Sequence, residues 1–240
     1  MINFVGVLIW QKMPETVYCS IQKCYNLAMK IYHGSKQIIN KPKPFGSKKD
    51  NDYGPAFYLT RDLQSAHEWA CRNNSIGYVN EYDISFQGLK VLDLTDKTQF
   101  SVLNWVAILL HFRYLDSGFI KAFSKRLLFI ERKYYIDVQD FDVVIGYRAD
   151  DAYFRFPLDF IRGNLTLEQL SEAFNLGELG IQYVLISEKA INKLKYRNSF
   201  LSNEKYIVKY FDTVKRATKQ FDSFDKDEDG VRIQDIMKGE

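Results

Sequence analysis

Three short stretches of this 240-residue chain combine side chains that bind ligands in many proteins. The first is 32–35, Tyr-His-Gly-Ser, at the end of a predicted strand. The second is 54–60, Gly-Pro-Ala-Phe-Tyr-Leu-Thr, and a predicted helix with Ser65 and Trp69 follows it. The third is 182–186, Gln-Tyr-Val-Leu-Ile, on a late strand. Imidazole, hydroxyl and amide groups can hydrogen-bond a polar ligand, aromatic faces can hold a flat ring, and glycine permits a close backbone approach.

The order of these stretches resembles that of the ADP-ribosyltransferases of the diphtheria-toxin and poly(ADP-ribose) polymerase type. That class has a His-Gly-Ser/Thr strand end, a Gly-x-x-x-Tyr strand that leads into a serine-bearing helix, and a late strand that starts with Glu. More narrowly, the chain is similar to a bacterial family of uncharacterised ADP-ribosyltransferase-like domains. These are often encoded beside a small partner protein, in a toxin–antitoxin-like arrangement. The resemblance covers residues 29–194.

The resemblance implies that NAD is bound and assigns a part of it to each matching residue. His33 would hydrogen-bond the adenine-side ribose, and the backbone of Gly34 would bind the nicotinamide amide. The remaining contacts to the cofactor would come from Ser35, Tyr58, Ser65 and Trp69. Of these, the two aromatic side chains would wall and stack on the nicotinamide, and the helix serine would bond its carboxamide.

The late strand departs from the pattern of the class, because Gln182 lies where the catalytic Glu usually stands. A carboxylate near the ribose 2′-OH stabilises the positive charge of the transition state, and an amide brings no charge. Three alternatives stay open: a slow enzyme, a carboxylate supplied from elsewhere, or a binder without turnover. The carboxylates nearby in sequence are Asp150, Asp151 and Glu178. The resemblance makes Asp151 a base for the acceptor and Arg148 a ligand of a phosphate.

An enzyme of this kind would release nicotinamide and transfer ADP-ribose to a macromolecule. The net charge of +3 favours a protein acceptor, although five lysines in residues 36–49 leave a nucleic acid open. A small antitoxin protein is a further partner implied by the resemblance. The competing hypotheses are a pseudoenzyme that holds NAD, ADP-ribose or a protein, an interaction protein, and an RNA 2′-phosphotransferase. An RNA 2′-phosphotransferase would have a second histidine in its site, and no histidine follows His111 in this chain.

Composition narrows the class of protein. Apolar residues make up 46% of the chain and aromatic residues 15%, which excludes a disordered chain. The longest apolar run, 105–110, is far too short for a membrane span. Three cysteines cannot all pair, and we recognise no signal peptide, so a reducing cytoplasmic location is expected. No metal site is expected, because the histidines lack ligand spacing and the calcium-loop-like 225–236 ends on Ile236 instead of Glu.

The elements predict an α+β domain at 29–220, between an N-terminal extension at 1–28 and an acidic tail at 221–240 that we expect to be dispensable. The resemblance implies a split antiparallel sheet core flanked by helices. Strands are predicted at 30–33, 56–60, 78–86, 89–94, 142–146, 153–156 and 180–187. Helices are predicted at 62–72, 99–115, 118–135, 166–174 and 188–194, and a loop at 35–55.

Overall fold

The computed structural model describes residues 27–149, 153–175, 180–223 and 229–239. Its strands are β1 (Met29–Ser35), β2 (Phe57–Leu59), β3 (Tyr78–Ile84), β4 (Val91–Asp93), β5 (Val143–Tyr147), β6 (Ile181–Leu185) and β7 (Lys195–Leu201). Its helices are α1 (Leu63–Cys71), α2 (Val102–Phe112), α3 (Ser117–Tyr134), α4 (Arg155–Arg162), α5 (Leu167–Asn175), α6 (Glu188–Ile191), α7 (Lys205–Ser223) and α8 (Ile233–Lys238). The predicted mixture of strands and helices is confirmed.

The strands form two small sheets that are joined by one backbone bridge. The first sheet has the order β1-β3-β7 and is antiparallel throughout. The second has the order β2-β6-β5-β4, and only its β4–β5 pair is parallel. A single bridge joins them, in which Tyr32 and Thr60 exchange backbone hydrogen bonds of 2.8 and 2.9 Å. The backbone pairing between the described strands of the two sheets is therefore confined to the end of β2.

Two apolar cores hold the sheets and helices in place. The smaller core fills the space between the sheets, with Ile31 and Tyr82 from the first and Phe57 and Leu185 from the second. The larger core lies between the second sheet and the helices α2, α3, α4, α5 and α8. Its centre is α2, in which six consecutive residues from 105 to 110 are buried. This confirms the prediction of a buried helix there, because a helix that is apolar on all sides needs cover on all sides.

The predicted strand at 153–156 is wrong, because α4 begins at Arg155. Phe156 and Phe160 are one helical turn apart, and both are fully buried in the larger core. Tyr153 stacks on Phe156 at 5.4 Å between ring centroids, just before the helix. Four residues, three of them aromatic, cannot distinguish a period of two from a period of 3.6, and the burial of residue 160 shows that the period is helical.

The C-terminal region packs on the domain. Helix α7, which the sequence analysis did not predict, lies against α1, where the hydroxyl of Thr213 donates to Glu68 at 3.4 Å. Helix α8 inserts the fully buried Ile233 into the larger core. Hydrogen bonds also hold this last segment: Leu167 N–H donates to Val231 O at 2.7 Å, Val231 N–H donates to Glu168 at 3.3 Å, and the Arg232 side chain donates to Gly163 O at 3.1 Å. These contacts give the last helix a share in the stability of the fold.

We therefore expect Ile233→Ala to lower the free energy of unfolding by about 2–5 kcal/mol, the cost of removing a large buried aliphatic side chain. Urea denaturation of the full chain measures it. The control is Val231→Ala, two residues earlier, where the side chain is 42% exposed and the expected change is within about 0.5 kcal/mol. Equal and small effects of both variants would contradict the packing of α8.

Candidate functional site

Helix α1 lies beside the ends of both sheets and positions two of the predicted site residues. Asp62 caps it, accepting hydrogen bonds from Gln64 N–H at 3.3 Å and Ser65 N–H at 2.8 Å. This confirms the predicted start of the helix. The Ser65 hydroxyl donates to the same carboxylate at 2.6 Å. A Cβ built on Gly180, just before β6, would lie 3.8 Å from that hydroxyl oxygen, so the start of the late strand adjoins the start of α1.

His33 separates the two sheets. Extending the register of the Tyr32–Thr60 bridge would pair Gly34 with Tyr58, and the carbonyl of Tyr58 would accept from Gly34 N–H. The imidazole of His33 hydrogen-bonds to that carbonyl instead, with Nδ1 2.7 Å from Tyr58 O. The same ring stacks on Phe57, with 4.5 Å between the ring centroids. The side chain thus ends the ladder after a single bridge.

The protonation state of His33 follows from the same contact. A carbonyl oxygen only accepts, so Nδ1 holds the proton and Nε2 presents a lone pair. Burial lowers the pKa of His33 to about 4, the positive charge of Arg72 acts in the same direction, and the bond to Tyr58 opposes them. The ring is therefore neutral at pH 7. Within the described part of the chain no group hydrogen-bonds to Nε2, which leaves it able to accept from a hydroxyl.

Gly34 presents its backbone at the edge where the sheets separate. N–H and C=O groups alternate along a strand, so Gly34 faces the same edge as Tyr32, toward β2. Its other face is closed: a Cβ there would lie 2.1 Å from Ala66 O and 2.7 Å from Ala70 N, both in the backbone of α1. Glycine is therefore required for the approach of the helix, and it leaves one donor and one acceptor at the sheet edge.

The hydroxyl of Ser35 serves the turn that follows β1. It donates to the carbonyl of Gln37, accepts from Gln37 N–H at 3.1 Å, and lies 3.3 Å from the side-chain nitrogen of Asn80. These bonds use both its proton and its lone pairs. Ser35 therefore adjoins the site through its place in the chain, while its side chain stabilises the turn.

Trp69 is covered by cations. The guanidinium carbon of Arg148, just after β5, lies 3.9 Å from the centroid of the indole ring, and that of Arg72 lies 4.3 Å from it. The pair Trp69 and Arg148 joins α1 to the second sheet, and so brings two predicted residues into contact. A ligand that stacked on Trp69 would share the ring with these cations.

Tyr58 fixes the loop that precedes β2. Its hydroxyl donates to Gly54 O at 2.6 Å and accepts from Tyr53 N–H at 3.1 Å. Burial raises the pKa of Tyr58 far above its usual value, so the hydroxyl keeps its proton. The neighbouring Tyr53 donates to Tyr147 O at 2.7 Å, which ties the same loop to the end of β5. These bonds hold Asp52, the residue before Tyr53, against the second sheet.

Asp52 is a buried carboxylate next to Gln182. Its Oδ2 accepts from the Gln182 side-chain nitrogen at 3.2 Å and from Ala149 N–H at 2.9 Å, and its Oδ1 lies 3.5 Å from Arg113 Nη1. Burial raises the pKa of Asp52 to about 6, and the Ala149 N–H and the charges of Arg113 and Arg148 limit the rise. The sequence analysis missed this residue, because an aspartate in a lysine-rich loop looks like any solvated one.

The other carboxylates proposed from the sequence, Asp150, Asp151 and Glu178, lie outside the described residues. Among the residues that the structure does describe, no three His, Cys, Asp or Glu side chains are grouped so as to hold a metal ion. No described helix is both long and apolar enough to cross a bilayer. The site is thus a set of hydrogen-bonding and aromatic groups around one buried carboxylate.

We expect the stability of the protein to report the raised pKa of Asp52. A carboxyl with a pKa raised in the fold stabilises the protonated folded state, so its contribution falls as the pH rises from about 4 to about 6. Asp52→Asn should therefore gain free energy of unfolding relative to the wild type over that window. At about 1.4 kcal/mol per pH unit, the gain is no more than about 3 kcal/mol.

Urea denaturation between pH 4 and pH 7 measures this difference, with the exposed neighbour Asp50→Asn as the control. A difference for Asp52→Asn that stays constant with pH would show that the carboxyl titrates normally.

Comparisons with known proteins place the chain in a family. Neither the curated proteins nor the solved structures contain a match to it. One family model does match, over residues 29–196, which is more than two thirds of the chain. This region begins with β1, ends in β7 and includes every residue of the site described above. The chain therefore belongs to the family described as "Protein of unknown function (DUF3990)".

Proposed function

We propose that this protein binds NAD between its two sheets, cleaves the bond between nicotinamide and ribose, and transfers ADP-ribose to a macromolecule. The observation that supports this best is the edge where the sheets separate. There the backbone of Gly34 offers one donor and one acceptor, next to the neutral imidazole of His33. A primary carboxamide such as that of nicotinamide needs one acceptor and one donor. Under this proposal, the two sheets are the counterparts of the split sheet expected for an ADP-ribosyltransferase.

His33 binds a ribose hydroxyl in this proposal. Its Nε2 accepts the hydroxyl proton, while Nδ1–H stays on Tyr58 O and keeps the ring in place. The lowered pKa matters because a protonated ring could not accept. The hydroxyl of Ser65, at the start of α1, donates its hydrogen bond to Asp62. The oxygen of that hydroxyl can therefore accept a hydrogen bond from the carboxamide nitrogen. The two groups would hold the nicotinamide and a ribose hydroxyl at fixed positions.

The second sheet supplies the charged groups. Arg148, held on the ring of Trp69, offers a positive charge for the diphosphate of NAD. Gln182 and Asp52 lie together on β6 and its neighbouring loop, where the ribose of the nicotinamide half would rest. When the glycosidic bond breaks, its electron pair leaves with nicotinamide, and C1′ of the ribose becomes positively charged. A preorganised polar group beside that carbon lowers the barrier.

The acceptor and the setting follow from the resemblance alone. We propose a protein acceptor, a small antitoxin-like partner, and a role as a toxin or defence effector. The acceptor supplies a nucleophilic atom whose lone pair forms the new bond to C1′ and whose proton passes to a base. Asp151 was assigned that part by resemblance and stays a prediction.

A binding protein without turnover is the second candidate. Gln182 brings no charge to the late strand, and Arg72 and Arg148 cover the ring of Trp69. Both features suit a protein that holds NAD or ADP-ribose and does not cleave it.

Nicotinamide release separates the two candidates. Purified full-length protein is incubated with NAD, with and without cell lysate, and nicotinamide is measured by chromatography. The proposal predicts release, with labelled ADP-ribose on macromolecules when lysate is present. Binding of NAD without release would support the second candidate, and absence of both would contradict each of them.

We expect His33→Ala and Trp69→Ala to weaken NAD binding roughly tenfold or more. For His33, removing one partner of a buried hydrogen bond costs about 1–3 kcal/mol, and about 1.4 kcal/mol corresponds to a factor of ten. For Trp69, the variant loses the ring that holds Arg148, a cation–π contact worth about 0.5–2 kcal/mol. Titration calorimetry measures the affinity, and urea denaturation measures the stability of the same variants.

The control is His111→Ala, a histidine on α2 whose ring stacks on Tyr135 and whose side chain is 39% exposed. It should leave NAD affinity unchanged. If the His33 and Trp69 variants lose binding only in proportion to lost folding, the assignment of the site is wrong.

A further inference from the structure

The late strand carries the amide of Gln182 at the position where cleavage of NAD requires a charge. That amide is hydrogen-bonded to a carboxylate, Asp52. Gln182 Nε2 donates to Asp52 Oδ2 at 3.2 Å, and both side chains are buried. The two residues are 130 positions apart in sequence, so the pairing exists only in the folded chain. Gly146, opposite Gln182 on β5, leaves room beside them that Tyr53 fills.

A carboxylate at this position orders the fold, because Asp52 accepts from Ala149 N–H and from Gln182 and pairs with Arg113, whose Nη1 is 3.5 Å away. An asparagine could accept the first two hydrogen bonds but could not pair with Arg113. The aspartate also places a carboxylate where burial disfavours ionisation. A charge kept at such a position, in a cluster of polar groups, is typical of functional sites.

We infer that Asp52 supplies the carboxylate that stabilises the positive charge on the ribose, and that Gln182 is the positioning residue that holds it. This inference rests on the proposed function. In the step concerned, the C1′–N bond breaks, its electron pair leaves with neutral nicotinamide, and the ionised Asp52 offsets the charge that develops on C1′. A hydroxyl or amine of the acceptor, or water, then bonds to C1′ and its proton leaves to Asp52 or to solvent.

The groups that face Asp52 define how its activity should depend on pH. Arg113 from the end of α2 and Arg148 from the end of β5 stay protonated throughout. Tyr53 and Tyr58, from its own loop and from β2, have pKa values raised by burial and stay neutral. In the part of the chain that the structure describes, only Asp52 of this set titrates near pH 6, so nicotinamide release should rise with pH through about 6.

We expect Asp52→Asn to lower the rate of nicotinamide release about 100- to 1000-fold, the usual effect of losing one preorganised electrostatic group. The affinity for NAD should change far less than the rate, because the positive charge on C1′ develops only as the bond breaks. Asp50→Asn, an exposed aspartate two residues earlier, serves as the control and should keep full activity.

The decisive variant combines Asp52→Asn with Gln182→Glu. It moves the carboxylate to the other side of the same hydrogen bond, onto the late strand. We expect this double variant to regain at least tenfold of the lost activity and to show a changed pH profile. The single variant Gln182→Glu is the matched control: if it raises nicotinamide release by the same factor in the presence of Asp52, the recovery owes nothing to Asp52 and the inference is contradicted.

The outcomes separate the inference from the function on which it rests. If the wild type releases no nicotinamide, the proposed function fails and the inference fails with it. If the wild type is active and Asp52→Asn remains folded and equally active, the inference alone is overturned. If Asp52→Asn unfolds, the pH profile of the wild type decides: a rise through about pH 6 supports the inference, and a flat profile contradicts it.

Discussion

The hydrogen bond between the His33 ring and the carbonyl of Tyr58 determines how the two sheets meet. Without it, the ladder begun by Tyr32 and Thr60 would continue, and one larger sheet would form. With the ring inserted, the backbone of Gly34 is left at an edge that none of the described strands covers. The cost is a buried imidazole, and the depressed pKa of His33 keeps that imidazole neutral. The proposed cofactor site depends on this separation.

A second constraint fixes the opposite wall. Asp52 draws together the loop before β2, the end of α2, the end of β5 and the start of β6, through contacts to Arg113, Ala149 and Gln182. A buried carboxylate that accepts from several elements both orders them and retains a charge among them. The contacts that hold the chain together here include the Gln182–Asp52 hydrogen bond on which the proposed chemistry depends. Stability and the proposed activity are therefore both expected to depend on pH.

The sequence predicts the local features and misses the distant pairings. The cap of α1 by Asp62 could be recognised, because a capping residue directly precedes an apolar helical pattern. Strand β7 could not, since most of its residues are exposed and show no apolar alternation. Helix α7 was also not predicted. The buried Ile233 of α8 shows that this C-terminal region belongs to the fold.

The same limit applies to the site. The matching order of short motifs identified His33, Gly34 and Gln182 without any knowledge of their separation in space. Asp52 had no such signal, since its partners lie 61, 97 and 130 residues away along the chain. Pairings of this kind depend on the tertiary fold, and only the missing charge on the late strand indicated that a carboxylate should be sought.

The most direct measurement is a crystal structure of the full-length protein with an NAD analogue that cannot be cleaved. The account predicts that the carboxamide hydrogen-bonds to the backbone of Gly34. It also predicts that the adjoining ribose lies beside the Gln182–Asp52 pair. An analogue bound elsewhere on the protein, or crystals that take up none at saturating concentration, would contradict it.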